Sequence, residues 1–551
     1  MKYNFKNLLV LSALIVLVAS CSKKIDEAYK NPNYDVKVAP ETLMPQIVAS
    51  MAGNYGGHGP MNDIRYIGAY VQNFAFAGTQ SNFDRMGHTN ADVAQSFWRS
   101  HYYDIGQNNV KLIEWALENK QWELAGVGKA IFAWSWLTLT DYHGEVILKD
   151  AFNTDLITFR YDTQEEVYAH ARKLSFEALD LLNKTGENGS QAALATGDAF
   201  LYGGNVSKWK KFVYGVLART HHHLSNKSIY KADSVLYYTN LAMKETSDDA
   251  LVKFAATSVS ATNNFWGPFR NNLPGSVGMS ITNPAAIRQS AFIADLMSGL
   301  NPAFSGVADP RAIYLLRKNS NGTFKGVEPV KGQLVILPGT DRPENFWGVS
   351  QATGTVNTAP ATDVNCRFIF RNSAPFPVMT ASEMAFLRAE AAFLKGDKAT
   401  ALTAYKDGIA KHFDLLMANY NTNVPTADLL TAAKRDAFLA NTAVVPASAN
   451  SLTLPMIMLQ KYIALWGHGT METWVDMRRY HYTDKDATGV QVYTGFTLPA
   501  AADIFQDNGG KMAYRMRPRF NSEYVWNINE LNRIGATTID YHTKEMWFST
   551  K

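Results

Sequence analysis

The segment ASEMAFLRAEAAFLKGDKATALTAYKDGIAKHFDLL, residues 381–416, decides the fold because it has the pattern of two amphipathic helices joined by a glycine turn. Apolar side chains recur at helical spacing on both sides of Lys395-Gly396-Asp397. The facing sides of the two helices carry small residues, which are Ala389, Ala392, Ala401 and Gly408. Such a pair is typical of a tetratricopeptide-like unit, and one unit cannot bury its apolar stripe alone. We therefore predict that further helical pairs stack against this one.

Helical periodicity extends over much of the remaining chain. The predicted helices cover residues 42–52, 63–76, 91–119, 122–139, 164–182, 209–224, 231–244, 427–439 and 455–480. Thr163 and Glu166 form a capping-box pattern at the start of one helix, and Ser207 is predicted to cap another. The predicted fold is all-α dominated, with tetratricopeptide-like hairpins stacked as a scaffold and residues 21–551 forming a single body.

Residues 246–380 differ from the helical part of the chain. Periodicity fades there, and Gly, Pro, Asn, Ser and Thr become frequent. We expect a long irregular region that carries minor β structure, with a strand at 334–337 and a helix within 281–300. Because long irregular stretches rich in aromatic residues are usually functional, this insert is the expected ligand region.

Composition narrows the class of protein. Of the 551 residues, 46% are hydrophobic and 19% are charged, which is typical of an ordered globular protein. The net charge of +4 is too small for the basic surface of a nucleic-acid-binding protein. Nucleic acid is therefore not an expected partner.

The beginning of the chain has the pattern of a targeting segment. Lys2 and Lys6 precede an apolar run over residues 8–18, which is too short for a spanning helix. The order Val18-Ala19-Ser20-Cys21 resembles a bacterial lipoprotein box, which predicts a signal peptide at residues 1–20 and a lipid on the cysteine. An ordinary secretory signal with a chance cysteine is the alternative.

Cysteine usage favours the lipid. The only cysteine besides Cys21 is Cys366, and an exported chain with one cysteine at its cleavage point is better explained by lipid attachment than by a disulfide. We expect the folded body to be tethered to a membrane through this lipid.

Several motifs, taken in their order, resemble the SusD/RagB family of outer-membrane lipoproteins, and its SusD-like branch in particular. Besides the lipoprotein start, the motifs are LTDYHGEV (139–146), FRYDTQEEVY (159–168), Asp198 with YGGNVSKW (202–209), RAEA (388–391), QKYIALWG (460–467), ETWVDMRR (472–479) and RPRFNSE (517–523). Two positions depart from the family pattern. Ile147 replaces a usual proline, and Trp547-Phe548 stands where paired tryptophans are common.

The resemblance implies a lipid-anchored protein on the outer surface of the outer membrane. Such a protein sits over a TonB-dependent SusC-like transporter barrel and presents captured nutrient, usually an oligosaccharide, for import. It implies neither a cofactor nor an enzymatic activity. Hydrolysis would need two carboxylates at a set distance, and the acids in the best motifs, Glu390, Glu472 and Asp476, lie beside arginines on predicted helices. We interpret these acids as structural ion pairs.

Sugar binding in water needs flat apolar rings to stack on, together with amide or guanidinium groups for the hydroxyls. The irregular region supplies both kinds of group. The predicted ligand-binding residues are Trp266, Trp347, Asn263, Arg270, Asn345, Phe83 and Arg85. Packing of either loop tryptophan onto the helical body is the alternative. The tryptophans on predicted helices are assigned to the core, and these are Trp98, Trp115, Trp134, Trp136, Trp209, Trp466 and Trp474.

A metal site, a peptide ligand and a scaffold role are the other functions to consider for this sequence. His221-His222-His223 does not favour a metal site, because successive helix positions point about 100° apart whereas a helical metal pair needs a spacing of three or four. We expect packed or solvated histidines there and no bound metal. Two alternatives stay open: the ligand is a peptide, which the family also permits, or the chain is a helical scaffold without a small ligand.

Overall fold

The structure, a computed structural model, describes residues 37–53, 63–79, 81–88, 96–255, 263–268, 286–355, 360 and 362–551. Helices dominate these residues. In chain order they are α1 (Met44–Gly53), α2 (Asp63–Tyr70), α3 (Ser96–Arg99), α4 (Gly106–Glu118), α5 (Trp122–His143), α6 (Gln164–Leu182), α7 (Ser190–Gly197), α8 (Val206–His222), α9 (Ala232–Leu241), α10 (Ala291–Ser298), α11 (Ala312–Leu315), α12 (Gln333–Ile336), α13 (Ala381–Lys395), α14 (Lys398–Asn419), α15 (Ala432–Ala440), α16 (Leu454–Leu465), α17 (Thr470–Arg479), α18 (Phe520–Trp526) and α19 (Ile528–Ile534).

A π-helical turn over Ser100–Ile105 joins α3 to α4. In the part of the chain that the structure describes, four short strands form two antiparallel pairs, and they are β1 (Phe74–Phe76), β2 (Ala250–Val252), β3 (Ile287–Gln289) and β4 (Phe376–Met379). β1 pairs with β3, and β2 pairs with β4. The β2–β4 pair joins the two ends of the irregular region to each other, and the β1–β3 pair joins its middle to the segment that follows α2.

The predicted hairpin at 381–416 is confirmed as α13 and α14. Gly396 ends α13 in the left-handed region with a φ of 89°, which a glycine adopts without strain. Asp397 then caps α14 by accepting a hydrogen bond from the backbone N–H of Thr400.

Small residues allow the two helices of this hairpin to approach closely, as predicted. A Cβ placed on Gly408 would lie 2.9 Å from the ring of Phe386. The hydroxyl of Ser382 donates to the carbonyl oxygen of Gly408 at 2.7 Å. The glycine therefore sets the distance between the helices.

Further helices stack on this pair, as expected for repeat-like units. The 22-residue helix α5 is buried along nearly its whole length, with only Trp122 and Lys129 partly exposed. It packs against α4, α6 and α8, and α9 in turn packs against α8 and α13. None of the described helices combines the length and the apolarity that a bilayer span requires.

The helix predicted over 63–76 ends at Tyr70 and is followed by β1. Three other sequence predictions of local structure need correction. Residues 334–337 are not a strand, because the Leu337 N–H closes a single helical turn onto Gln333 at 3.1 Å. Asn205 rather than Ser207 caps α8, since its side chain accepts from the Lys208 N–H at 3.1 Å.

The third correction concerns residues 455–480. This stretch is two helices, α16 and α17, because Gly467 interrupts the helix with a φ of 79°. Of the tryptophans assigned to the core, only Trp115 is partly exposed, and the other six are buried.

A buried ion network joins α8, α13, α16 and α17. Glu390 of α13 contacts Arg479 Nη1 of α17 at 2.8 Å and His222 Nε2 of α8 at 2.7 Å. Lys461 of α16 contacts Asp476 Oδ2 of α17 at 2.7 Å. None of these five side chains is more than 4% exposed. Since each charge has been removed from water, each depends on its partners to compensate for lost hydration.

The same network continues around Arg219 of α8. Its guanidinium contacts Glu383 at 2.6 Å and Glu472 Oε1 at 3.2 Å. His223 lies between two carboxylates, with Glu472 Oε2 at 2.9 Å and Asp141 Oδ2 at 3.2 Å. The prediction that Glu390, Glu472 and Asp476 form structural ion pairs is confirmed.

Replacement of His223 by glutamine should remove one source of pH-dependent stability. Burial alone lowers the pKa of His223, but Glu472 and Asp141 outweigh burial and raise this pKa to about 9. Histidine in an unfolded chain has a pKa of about 6.5. The protonated imidazole therefore stabilises the fold fully below pH 6.5, and this contribution is lost as the pH rises to 9.

We expect the free energy of unfolding of the unmodified protein to fall between pH 6.5 and 9, and this fall to be much smaller in the His223→Gln variant. Urea denaturation at a series of pH values measures both slopes. Equal slopes for the two proteins would show that His223 does not keep its proton in the folded state.

Candidate functional site

Two copies of the sequence Asn-Phe-Trp-Gly, at residues 264–267 and 345–348, form matching turns. In each turn the asparagine Oδ1 accepts the N–H of the tryptophan two residues later, at 2.9 Å in the first copy and 3.1 Å in the second. Both indoles lie in the core, with Trp266 1% exposed and Trp347 0% exposed. Trp347 Nε1 donates to the Trp266 carbonyl at 2.8 Å, so the two turns also bind each other.

The expectation that Trp266 and Trp347 lie open at the surface is therefore wrong. Stacking on a ligand needs an accessible ring face, and these ring faces are covered by other aromatic side chains. Asn263 and Asn345 are buried as well. Arg270 lies outside the described residues. Contact of this group with a ligand stays a prediction.

The third sequence candidate, Phe83 with Arg85, also packs against the protein body. Phe83 is 6% exposed and stacks on Tyr66, with 3.8 Å between the ring centroids. Arg85 Nε donates to the carbonyl oxygen of Asp503 at 2.8 Å. Both side chains therefore have structural partners in this region.

An open cleft of about 540 Å³ lies elsewhere, between the π-helical turn, the loop that follows α5 and the start of α18. Its volume is within the range of small-molecule sites. Aromatic side chains form much of the lining, namely Trp98, Tyr102, Tyr103, Phe152 and Phe159. Polar side chains stand among them, including Gln107, Asn153, Arg519, Ser522 and Glu523. We refer to this site as the aromatic cleft.

The π-helical turn places two adjacent tyrosines in the aromatic cleft. Tyr102 is partly buried, and its ring lies against Trp98 with 5.2 Å between the centroids. Tyr103 points outward and is 61% exposed. Because π-helical turns are rare and often occur at functional sites, this departure from α-helix supports the choice of site.

Phe152 adopts a backbone conformation that a bulky residue rarely occupies. Its φ is 64°, in the left-handed region that favours glycine. Gly106 leaves room for the Phe152 ring, because a Cβ on that glycine would lie 2.5 Å from the ring. The glycine at the start of α4 therefore fixes the position of this ring in the aromatic cleft.

The loop between α5 and α6 is held at three points. The Tyr102 hydroxyl donates to the Ile147 carbonyl at 2.8 Å and accepts the Ile147 N–H at 3.0 Å. Asp162 accepts two backbone N–H groups of the loop. The side chain of Asn527 exchanges two hydrogen bonds with the backbone of Phe159, at 3.2 and 2.8 Å. The wall of the cleft is thus preorganised.

Glu523 is the one carboxylate among the described residues that line the aromatic cleft. Burial raises its pKa, while hydrogen bonds from Asn527 and Tyr161 and the charge of Arg519 oppose this effect. The Tyr161 hydroxyl donates to its Oε2 at 2.9 Å. This acid is therefore engaged in holding α18 against the loop.

The cleft combines the exposed ring of Tyr103 and several partly exposed rings with amide, hydroxyl and guanidinium groups. A ligand with alternating apolar faces and hydroxyl groups, as a sugar has, matches both kinds of group. No cluster of three or more metal-ligating side chains occurs among the described residues. The three consecutive histidines have separate partners, with His221 stacked on Tyr238, His222 paired with Glu390 and His223 paired with Glu472.

Sequence reasoning missed the aromatic cleft because its residues lie far apart in the chain. Trp98 is buried as predicted, with 4% exposure. It also lines the aromatic cleft, which the sequence did not indicate. Tyr102 and Tyr103 lie on a predicted helix whose π-helical register the pattern does not reveal. The signal available in the sequence was the pair of adjacent tyrosines, Tyr102 and Tyr103.

The chain matches a known protein family in sequence and known structures in fold. The SusD-like family model described as "Starch-binding associating with outer membrane" matches residues 32–494. No curated protein gives a match.

Solved structures share the fold over almost the whole chain. A SusD/RagB family protein from Bacteroides thetaiotaomicron is 18% identical with a TM-score of 0.65, covering 93% of this chain and 99% of that chain. A chitin-binding SusD homologue from Flavobacterium johnsoniae is 16% identical with a TM-score of 0.60, covering 93% and 99%. A further chitin-binding protein is 19% identical with a TM-score of 0.64, covering 93% and 100%. The expected helix-dominated, tetratricopeptide-like fold is confirmed by these likenesses.

Replacement of Gly106 by alanine should disturb the aromatic cleft. The new methyl group would lie 2.4 Å from the His101 carbonyl oxygen and 2.5 Å from the Phe152 ring. Overpacking of this kind costs about 1–3 kcal/mol. We expect Gly106→Ala to lower the free energy of unfolding by about that amount, measured by urea denaturation.

Gly354→Ala is the matched control, since a Cβ at that glycine meets open space. It should leave stability nearly unchanged. Equal stability of the two variants would contradict the role of Gly106 in making room for Phe152.

Proposed function

This chain belongs to the SusD-like family, whose description is starch-binding and associated with the outer membrane, and we propose that it captures an oligosaccharide in the aromatic cleft for delivery to a TonB-dependent transporter. The observation that carries this proposal is the preorganised cleft in which one exposed ring, Tyr103, and three partly exposed rings stand beside polar side chains. Rings of this kind stack on the C–H faces of a sugar, and the polar groups satisfy its hydroxyls.

Preorganisation supports binding at this site. The Asn527 bridge to Phe159 and the Tyr102 bridge to Ile147 hold the loop wall through side chain to backbone hydrogen bonds. A rigid wall loses little conformational entropy when a ligand binds. The exposed Tyr103 side chain offers a ring with few rotatable bonds.

Binding without catalysis fits the chemistry of the cleft lining. Glycoside hydrolysis generally uses a pair of carboxyl groups on either side of the scissile bond. Glu523 is the single acid among the described lining residues, and it is occupied by Tyr161 and Asn527. We therefore assign the protein to capture of an intact glycan.

The relatives supply the first ligands to try. The family description names starch, and two relatives of the same fold are described as chitin-binding. Starch and chitin oligosaccharides both present pyranose faces and neutral hydroxyl or amide groups. Both classes are therefore suitable probes of the aromatic cleft.

The beginning of the chain and the family membership support a proposal about location and partner. We propose that residues 1–20 are removed as a signal peptide, that a lipid on Cys21 anchors the protein on the outer membrane, and that a SusC-like barrel receives the glycan. Lys37, the first described residue, pairs with Glu118 at the end of α4, whereas the cleft lies at the beginning of that helix. A helix of this length separates the two points by about 20 Å.

Tyr103→Ala should weaken glycan binding about tenfold, because truncation of an aromatic anchor at a binding site commonly costs more than 1 kcal/mol. Tyr237→Ala is the control, since Tyr237 is also 61% exposed but lies on α9 outside the cleft. Titration calorimetry of the soluble body with starch and chitin oligosaccharides measures both.

Equal glycan affinity of the unmodified protein and of Tyr103→Ala would show that the aromatic cleft is not the binding site. A peptide pool tested in parallel separates the alternatives. Peptide binding without glycan binding would favour a peptide ligand, and no binding to either would favour a scaffold.

Cys21→Ser should release the protein from membranes. Cys366→Ala is the control, because Cys366 is the other cysteine and is fully buried. Membrane fractionation followed by immunoblotting checks the outcome. Continued tight membrane association of Cys21→Ser would contradict the lipid anchor.

A further inference from the structure

Trp526 differs from every other tryptophan in the chain. All twelve tryptophans lie in the described residues, and Trp526 alone is exposed, at 73%. It ends α18, the short helix whose beginning forms one wall of the aromatic cleft. A large apolar ring left in water is unusual unless something covers it in function.

Trp526 lines a second open cleft, of about 420 Å³, next to the aromatic cleft. Phe159 lines both clefts, so they meet at this residue. The second cleft also contains Thr158, Asn529 and Arg160, all exposed. Ring and polar groups are thus mixed there as they are in the aromatic cleft.

The junction between the two clefts is rigid. Asn527 binds the backbone of Phe159 through both ends of its amide and also donates to Glu523 Oε2 at 3.0 Å. The Arg533 guanidinium donates to the Tyr161 carbonyl at 2.8 Å. These bonds fix the loop against α18 and α19, and so they fix Trp526 relative to Phe159.

The charges that line the two clefts are balanced. Arg99 contacts Asp104 at 3.3 Å, and Arg533 Nε contacts Glu530 at 2.8 Å. The charge of Arg519 acts on Glu523, and that of Arg160 acts on Glu530. Asp150 also lines the second cleft, so four carboxylates stand beside the four arginines of the described lining, and the surface gives no advantage to an anionic ligand.

From this geometry we propose that the two clefts form one groove, which takes a neutral, linear oligosaccharide running from the aromatic cleft across Phe159 onto the ring of Trp526. This inference rests on the proposed glycan-binding function and extends it to chain length and charge. A short oligosaccharide fills the aromatic cleft alone. A longer chain reaches Trp526 and gains a second stacking contact.

The test is a length series of neutral starch and chitin oligosaccharides, titrated against the unmodified protein, Trp526→Ala and Tyr103→Ala. Val525→Ala is the matched control, because Val525 is 61% exposed on the same helix and does not line either cleft. We expect Trp526→Ala to bind the short members normally and the long members about tenfold more weakly. Tyr103→Ala should weaken all lengths, and Val525→Ala should weaken none.

Tryptophan fluorescence gives an independent readout. Since Trp526 is the exposed tryptophan, a collisional quencher in solution should reach mainly its ring. Long oligosaccharides should protect the emission from quenching in the unmodified protein but not in Trp526→Phe, and short ones should give no protection in either.

The outcomes separate the two proposals. If Tyr103→Ala weakens binding but Trp526→Ala does not at any length, the groove is overturned and the aromatic cleft stands. If neither substitution weakens binding, or no glycan binds, both proposals fail together. The assignment of a neutral ligand would be overturned by a different result. In that result, uronate-rich chains bind more tightly than neutral chains of equal length, and their affinity falls as salt is added.

Discussion

The buried ion network between α8, α13, α16 and α17 is the constraint on which the rest of the structure depends. Its charges lie where water cannot reach, so they are tolerated only while all four helices keep their relative positions. Apolar packing between helices allows sliding at modest cost, whereas a desolvated carboxylate allows very little. The network thus specifies one arrangement of the stacked hairpins.

The network also reaches the aromatic cleft through α17. Arg478, next to Arg479 of the network, donates to the carbonyl oxygens of Asp141 at 2.7 Å and Tyr514 at 3.0 Å. The Met516 N–H donates to the Tyr142 carbonyl at 2.7 Å. These bonds attach the last part of the chain to the end of α5, and α18 begins a few residues later. The cleft wall is therefore positioned by the core.

Sequence patterns predicted the scaffold well because its determinants are local. The α13–α14 hairpin was recognisable from the period of its apolar residues and from the Gly396 turn, and the capping box at Thr163 and Glu166 is present as predicted.

The candidate site was harder to predict from sequence. Asn263 and Asn345 were interpreted as sugar-binding amides. Asn345 instead closes the turn that carries Trp347 inward, and Asn264, the neighbour of Asn263, does the same for Trp266. Trp526 also has an asparagine beside it in sequence, Asn527, and its ring is exposed. Which tryptophan is exposed depends on packing between distant segments, and a local pattern does not contain that information.

The bridge between Phe159 and Asn527 joins positions 368 apart in the chain. Contacts of such long range form late in folding, because the entropy of closing a large loop must be overcome before they become favourable. A chain that has not yet docked its C-terminal segment therefore has helices without the aromatic cleft. The aromatic cleft is therefore complete only once the last part of the polypeptide is in place, and a partly folded chain lacks the proposed site.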